Sequence, residues 1–300
     1  MEMNYLKGVS AGVLLTLMTA CSGSDSSEMQ PADEPQVRHL VITQVEADDT
    51  RATLTDAAET LAASWTKGDE LTYCNVSGKM NVAPSPLTFP TGTLTAAATA
   101  AMSRFTGDVR CMTGDFISVI YPAATVNETT KGYTITLSGQ DGSLNTLAER
   151  YHYVYGVASV TGVSGNTATA TMQPMKSLLT VCKFSFTDGT NVIPIVSLNI
   201  SYGGSDSNTG KYPQTASVVC SDSQADVHAA GVATDNTGLT VTPASETNEV
   251  YVALLPTQSN KTEFRFTVTN SSGTYTGVAK ATLNEGEYVR ATGLKLTKNL

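Results

Sequence analysis

Three observations predict an all-β protein: apolar and polar residues alternate with period two along the chain, Gly, Asn and Asp turn signals punctuate the alternation, and helical periodicity is thin. The alternation is clearest where Phe264, Phe266 and Val268 interleave with Glu263, Arg265, Thr267 and Thr269. It recurs in Tyr133, Ile135 and Leu137, with Thr134 and Thr136 between them, and in Cys182, Phe184 and Phe186, with Lys183 and Ser185 between them. Val196, Leu198 and Ile200 continue it around Ser197 and Asn199. Such segments predict half-buried strands of antiparallel sheets, one face in a core and one face wet. Turns are expected at Gly165, Asp188, Gly203 and Asn270, where Gly accepts positive φ and Asn or Asp caps its own turn. Two segments carry helical signal: residues 56–63, with Asp56 as cap, and residues 95–102, where alanine favours a helix and the flanking Thr residues oppose it.

The N-terminus has the layout of a secretory signal peptide: Lys7, an apolar run over residues 9–17, then Met18-Thr19-Ala20-Cys21. The run is too short to span a bilayer as a mature helix. Small residues directly before Cys21 resemble a lipoprotein box, which implies cleavage before that residue and acylation of its thiol. Several acyl chains make a durable anchor. A tail rich in Ser, Asp, Glu and Pro follows and reads as a flexible tether. Its acidic start resembles the signal that sends some lipoproteins to the outer leaflet, so the outer membrane and cell surface are the expected location. The organisation predicted is a signal peptide over 1–20, a tether over 21–35, and β domains over 36–173 and 174–300, divided at the break Gln173-Pro174-Met175.

The formal net charge of -9, with 18 scattered Lys and Arg, gives no basic stripe for a phosphate backbone, so nucleic acid is not an expected partner. With Cys21 assigned to lipid, Cys74, Cys111, Cys182 and Cys220 are left. An oxidising compartment allows one disulfide in each domain, and small buried thiols are the equally weighted alternative. No Cys or His spacing indicates a metal, and no cofactor is implied. His39, His152 and His228 stand apart from any catalytic motif and are read as surface or packing residues of a protein that is not an enzyme. The acids in residues 204–208 and 222–226 do not follow a calcium-loop pattern and are read as solvated turn residues. Trp65 is expected to anchor a core edge, with Gly68-Asp69 turning the chain into a strand over residues 70–76. Tyr151, Tyr153 and Tyr155 fall on one strand face and are read as packing rather than as a sugar platform.

Thr50-Arg51-Ala52, Trp65-x-x-Gly68-Asp69 and Phe105-Thr106-Gly107-Asp108 leading to Ile120-Tyr121-Pro122 resemble, in order and spacing, the fimbrillin-like family of lipoprotein-derived pilus subunits. The second half continues the match with Lys176-Ser177-Leu178-Leu179, Phe184-Ser185-Phe186 and Val250 to Pro256, and then with Phe264 to Val268, Leu283, Gly286, Tyr288 and Leu294 to Leu296. The resemblance implies two tandem transthyretin-like antiparallel β-sandwich domains, proteolytic removal of an N-terminal strand at an Arg, and assembly with other subunits by strand donation. It also implies export as a lipoprotein, and an adhesive role toward a host or bacterial receptor stays open beside assembly. The stretch between Arg51 and Trp65 is longer than the family pattern, the cysteines are not part of it, and no long donor segment follows the last matched strand. A tip or anchor subunit therefore stays open beside a stalk subunit, as does a non-polymerising adhesin.

Independently of the resemblance, residues 37–45 have the composition of a strand, with Leu40 and Ile42 on one face and Val41 and Thr43 on the other, bounded by Val37 and Val45. Arg51 and Ala52 follow in an acidic, Thr-rich stretch suited to protease access. Two readings stand equally: an exchangeable strand with a processing site behind it, or simply a first strand and a turn residue.

Overall fold

The computed structural model describes residues 35–46, 53–57, 60–78, 88–205, 208–232, 237–257 and 262–299. Cys21, Arg51 and Ala52 lie outside the described residues, as do the signal segment and nearly all of the tether. Among the described residues the regular structure is β except for one short helix and a 3-10 turn at Gln224–Asp226, in agreement with the alternation.

The first half supplies β1 (Gln36–Glu46), β2 (Thr53–Ala57), β3 (Thr60–Ser64), β4 (Glu70–Asn75), β5 (Thr91–Ala96) and β6 (Met102–Cys111). It continues with β7 (Phe116–Tyr121), β8 (Thr125–Asn127), β9 (Gly132–Thr136), helix α1 (Leu144–Arg150), β10 (Val154–Ser164) and β11 (Thr167–Met172). The second half supplies β12 (Lys176–Ser177), β13 (Thr180–Thr187), β14 (Ser197–Tyr202), β15 (Thr215–Val219), β16 (Ala229–Val232) and β17 (Leu239–Val241). Last come β18 (Val250–Leu254), β19 (Thr262–Asn270), β20 (Gly273–Ala281), β21 (Tyr288–Lys295) and β22 (Thr297–Lys298).

The largest sheet runs β11-β1-β6-β5-β4-β7-β10-β12, and an extra pairing of β10 with β11 closes it into a barrel. Closure leaves no free sheet edge around that ring. The barrel interior is filled by Leu40, Ile42, Trp65, Leu71, Phe105, Val119 and their neighbours, all buried. Alternation carries the next residues to the outside of the wall, where Cys74, Ile120 and Tyr155 join a second and larger core. That is why β7, with the sequence Phe-Ile-Ser-Val-Ile-Tyr, is buried along almost its whole length instead of alternating.

The second core draws on both halves of the chain. A four-stranded sheet runs β16-β15-β9-β8, so strands from before residue 173 pair directly with strands from after it. Beside it are the sheets β18-β13-β21 and β17-β14-β19-β20-β22, whose inward Phe184, Phe186, Phe264 and Phe266 share that core. The expected inward residues of β9 and β19 are buried as predicted. Val196 departs from the pattern, lying exposed just before β14.

Two local expectations are corrected. Of residues 56–63, expected as a helix, the described ones lie in the antiparallel strands β2 and β3, in which Ala57 pairs with Thr60. Asp56 caps nothing there; its carboxylate is taken by Lys183 at 2.9 Å, a tertiary contact that outweighs local propensity. Lys183, expected on a wet face, is buried as a result. Of residues 95–102, Ala96 ends β5 and Met102 begins β6, with bends between. The α-helix falls elsewhere, capped by Ser143, whose hydroxyl accepts from the Thr146 amide at 3.1 Å, and it buries Leu147 and Ala148.

Candidate functional site: the strand that closes the barrel

β1 occupies the gap between two strands that are distant in sequence. It runs antiparallel to β6 from Gln36 opposite Cys111 to Glu46 opposite Met102, and parallel to β11 from His39 to Ile42. Leu40 and Ile42 point inward and are fully buried, while Val37 is exposed and Val41 half-buried. A bulge between Ile42 and Val45 inserts one extra residue, which turns Val45 to the inside as well. The grouping of Leu40 with Ile42 is as read from the sequence; the inward turn of Val45 depends on the bulge, which alternation alone does not signal.

Each end of the strand is tied down. The Trp65 indole donates to the Val45 carbonyl at 3.1 Å, and its ring meets Phe105 and Tyr121 edge-on at 4.9 and 5.4 Å between centroids. Trp65 is thus the core anchor expected, and the Thr66 amide donates to the Asp69 carboxylate at 2.7 Å to hold the turn after it. At the other end Arg38 is buried and its guanidinium donates to the Cys111 carbonyl. Burying Leu40, Ile42 and Val45 contributes on the order of 5 kcal/mol, before any backbone pairing is counted.

The hairpin β2–β3 follows β1 in sequence but packs elsewhere. Leu54 joins the second core. Asp56 accepts from Lys183 at 2.9 Å and from the Tyr251 hydroxyl at 2.8 Å, while Lys183 also reaches Glu249 at 3.0 Å. The hydrogen bond from Lys183 holds the Asp56 carboxyl below its ordinary value of 3.8 against the opposing effect of burial. The same bond raises Lys183 above 10.5. β1 and the hairpin are therefore held by separate contacts on either side of residues 47–52. Sequence reading missed this cluster because Asp56 and Lys183 are distant along the chain; only the isolated Lys inside an apolar strand signals it.

The histidines bond to different partners. His39 lies 3.5 Å from Asp108 on the surface, His228 lies 2.7 Å from Glu285, and buried His152 faces the Ser177 hydroxyl at 3.2 Å. That hydroxyl lies 3.1 Å from the Leu179 carbonyl, to which it donates, so the pair serves packing. Tyr151, Tyr153 and Tyr155 are buried, as expected for packing residues. Among the described residues no group of acids, His and Cys is placed to hold a metal ion.

Cys74, Cys111, Cys182 and Cys220 are all buried. Cys111 faces the barrel interior and Cys74 the opposite side of the wall. Cys182 sits in β13 within the second core, to which Cys74 and Cys220 also belong.

The site defines an all-β protein whose first strand completes a barrel. No family model matches the chain, and no curated protein matches its sequence. Its structure is similar to that of a candidate cell adhesion protein from Bacteroides uniformis, with a TM-score of 0.51 at 16% identity over 88% of this chain and 96% of that one. A candidate cell adhesion protein from Bacteroides eggerthii follows at 0.40 and 12%, covering 86% of each chain. A shaft pilin of Lactobacillus rhamnosus GG follows at 0.29 and 10%, over 88% of this chain and all of that one. The first likeness is one of fold, and the other two are too distant to carry an argument.

Two outcomes are expected. Trp65→Phe keeps the ring but leaves the Val45 carbonyl without the indole, so stability falls by roughly 1–3 kcal/mol in denaturant melts, and hydrogen exchange rises first along β1. Asp56→Asn lowers stability by a similar amount, about 1–3 kcal/mol near neutral pH. Because the folded carboxyl titrates below its unfolded value, its contribution is complete above that value and is lost as pH falls through the folded one. Wild type and Asp56→Asn should therefore converge in acid, as followed by thermal melts across pH. A difference that persisted there would separate the effect from the ion pair.

Proposed function

We propose that this protein is a structural or accessory subunit of a cell-surface pilus, with an adhesive role. It is exported as a lipoprotein anchored through Cys21 to the outer membrane, and assembled with other subunits by strand exchange after β1 is removed. In this reading the chain is organised as two tandem transthyretin-like domains, 36–173 and 174–300, and the protease acts at Arg51-Ala52.

The observation that carries the reading is the position of β1. Its removal would uncover the facing edges of β6 and β11 together with the pockets filled by Leu40, Ile42 and Val45. Such a groove accepts a strand from a neighbour through backbone pairing and alternate side-chain pockets. The choice of Arg51 over Arg38 has a physical basis, since Arg38 is buried inside β1 and closed to a protease. The fold likeness to a candidate cell adhesion protein agrees with a surface role.

The alternative, a surface lipoprotein that captures glycans or proteins without polymerising, draws no support from Tyr151, Tyr153 and Tyr155, which are buried. Cavities open to it include one of about 260 Å³ lined by Tyr202, Lys211, Tyr212 and Leu255 and one of about 620 Å³ lined by Phe116, Val157, Met172 and Gln173.

The N-terminal residue of protein recovered from the cell surface tests the reading. A terminus at Ala52 with a ladder of heat-sensitive oligomers is expected, and Arg51→Ala should lower polymer yield without changing the melting midpoint of the subunit. Surface material consisting only of lipidated Cys21 chains without a ladder would overturn polymerisation. A chain beginning at Ala52 should melt below one beginning at Ser22 by about 10 °C or more, and should oligomerise at matched concentration. Identical midpoints and monomeric elution would show β1 to be dispensable.

A further inference from the structure

Cys74 and Cys220 come from strands on opposite sides of the expected domain boundary, yet their side chains meet. Cys74 lies on β4 opposite Ser118 of β7 and turns outward from the barrel wall. The Ser118 hydroxyl donates to the Cys74 carbonyl at 3.1 Å and lies 3.0 Å from the Tyr133 hydroxyl. Cys220 directly follows β15, and its amide donates to the Lys131 carbonyl at 2.9 Å. The next residue is fixed as well: the Tyr155 hydroxyl donates to the Ser221 carbonyl at 2.9 Å and lies 3.1 Å from the Ser221 amide. The backbones at both cysteines are thus held by neighbouring elements, and both side chains are buried in the second core, where the Tyr133 hydroxyl reaches Ser118 opposite Cys74 and the strand of Tyr133 pairs with β15 just before Cys220; each thiol shifts the pKa of the other.

We propose that Cys74 and Cys220 form a disulfide that staples the barrel wall to the sheet of β8, β9, β15 and β16, and so ties the first half of the chain to the second. The assignment crosses the two domains instead of falling within each. It rests on the proposed export only for where the oxidant is met. The oxidant is a disulfide, either of a small thiol such as glutathione or of a thiol–disulfide oxidoreductase. A thiolate at Cys220 attacks one oxidant sulfur; the S–S bond breaks, and the released thiolate takes the proton of Cys74. The Cys74 thiolate then attacks the Cys220 sulfur and expels the second oxidant thiol. Two protein thiols lose two electrons, and one oxidant disulfide becomes two thiols.

The surroundings favour Cys220 as the first nucleophile. The Cys74 thiol beside it lowers the pKa of Cys220, whereas Cys220 and burial raise that of Cys74. Both are fully buried once folded, so oxidation accompanies folding or transient opening.

Trypsin separates all four cysteines, placing Cys74 in residues 68–79, Cys111 in 111–131, Cys182 in 177–183 and Cys220 in 212–261. The protein is unfolded, refolded with reduced and oxidised glutathione, alkylated, and digested without reduction. Peptides 68–79 and 212–261 are expected to appear as one linked species. The melting midpoint should rise by about 5–10 °C over the reduced protein, a rise lost in Cys74→Ser and Cys220→Ser. Recovery of both peptides separately alkylated, or of Cys74 linked to Cys111 or Cys182, overturns the assignment. The wild-type peptide map decides even if the variants fold poorly. Because the reaction is run on purified protein, its failure is distinct from a failure of export or polymerisation.

Discussion

The packing of β1 into a gap it does not itself define is the constraint on which the rest of the structure depends. β6 and β11 flank that gap, and neither has another partner on that side. Without β1 the barrel becomes an open sheet with two unpaired edges and an interior missing three buried aliphatic side chains. The strand is clamped through Trp65 at Val45 and through Arg38 at the Cys111 carbonyl, but within the described unit its one chain connection is the segment of residues 47–52. A cut there would break that connection and leave the clamps at Val45 and at the Cys111 carbonyl in place. What had been an intramolecular strand would then hold its place at an ordinary concentration, open to displacement by a competing strand.

Displacement without collapse requires the remainder of the fold to stand without β1, and the second core supplies that. The wall formed by β4, β7 and β10 is buried on both faces, so those strands keep one packed face even if the barrel opens. The two halves of the chain are also joined by polar contacts remote from the groove. Gln140 pairs with the backbone of Ala253, donating at 3.0 Å and accepting at 2.8 Å, in imitation of a strand pair. Asp56 holds the hairpin behind β1 against Lys183 and Tyr251, so a chain cut at Arg51 keeps its new end docked through this cluster.

Sequence legibility followed the number of wet faces each strand has. Residues 133–137 and 264–268 were read correctly because one face is buried and the other meets water, which imposes period two. β7 gives no such pattern because both faces are covered. The hairpin β2–β3 resembles a helix in sequence because Asp56 offers a cap, whereas the Asp56–Lys183 contact that holds it is formed across the fold. Helix α1 carries its own short signal, in which Gly142-Ser143 and the spacing of Leu144, Leu147 and Ala148 give both a cap and an apolar stripe. The strand nature of β1 was legible from composition, whereas its role in closing the barrel was not, since that depends on two distant strands. The meeting of Cys74 and Cys220 was hidden for the same reason.

On the reading proposed above, the subunit faces opposite demands before and after assembly. In transit an open groove would invite edge-to-edge aggregation, so the groove must be filled; on the surface the filler must yield to a neighbour. A strand at the start of the chain meets both demands, because burial of its side chains secures it while one short connection retains it. Its stability need not be low for exchange to run forward. An incoming strand that fills the same pockets and makes the same backbone pairs replaces the lost interactions almost one for one, so the net free energy of exchange is set by small differences between the two strands. Those differences concentrate at the inward pockets of Leu40, Ile42 and Val45, and the bulge before Val45 fixes the register that an incoming strand must match. A donor lacking an extra residue at that point would place its last apolar side chain on the wet face, so the bulge selects among donors as well as seating the native strand.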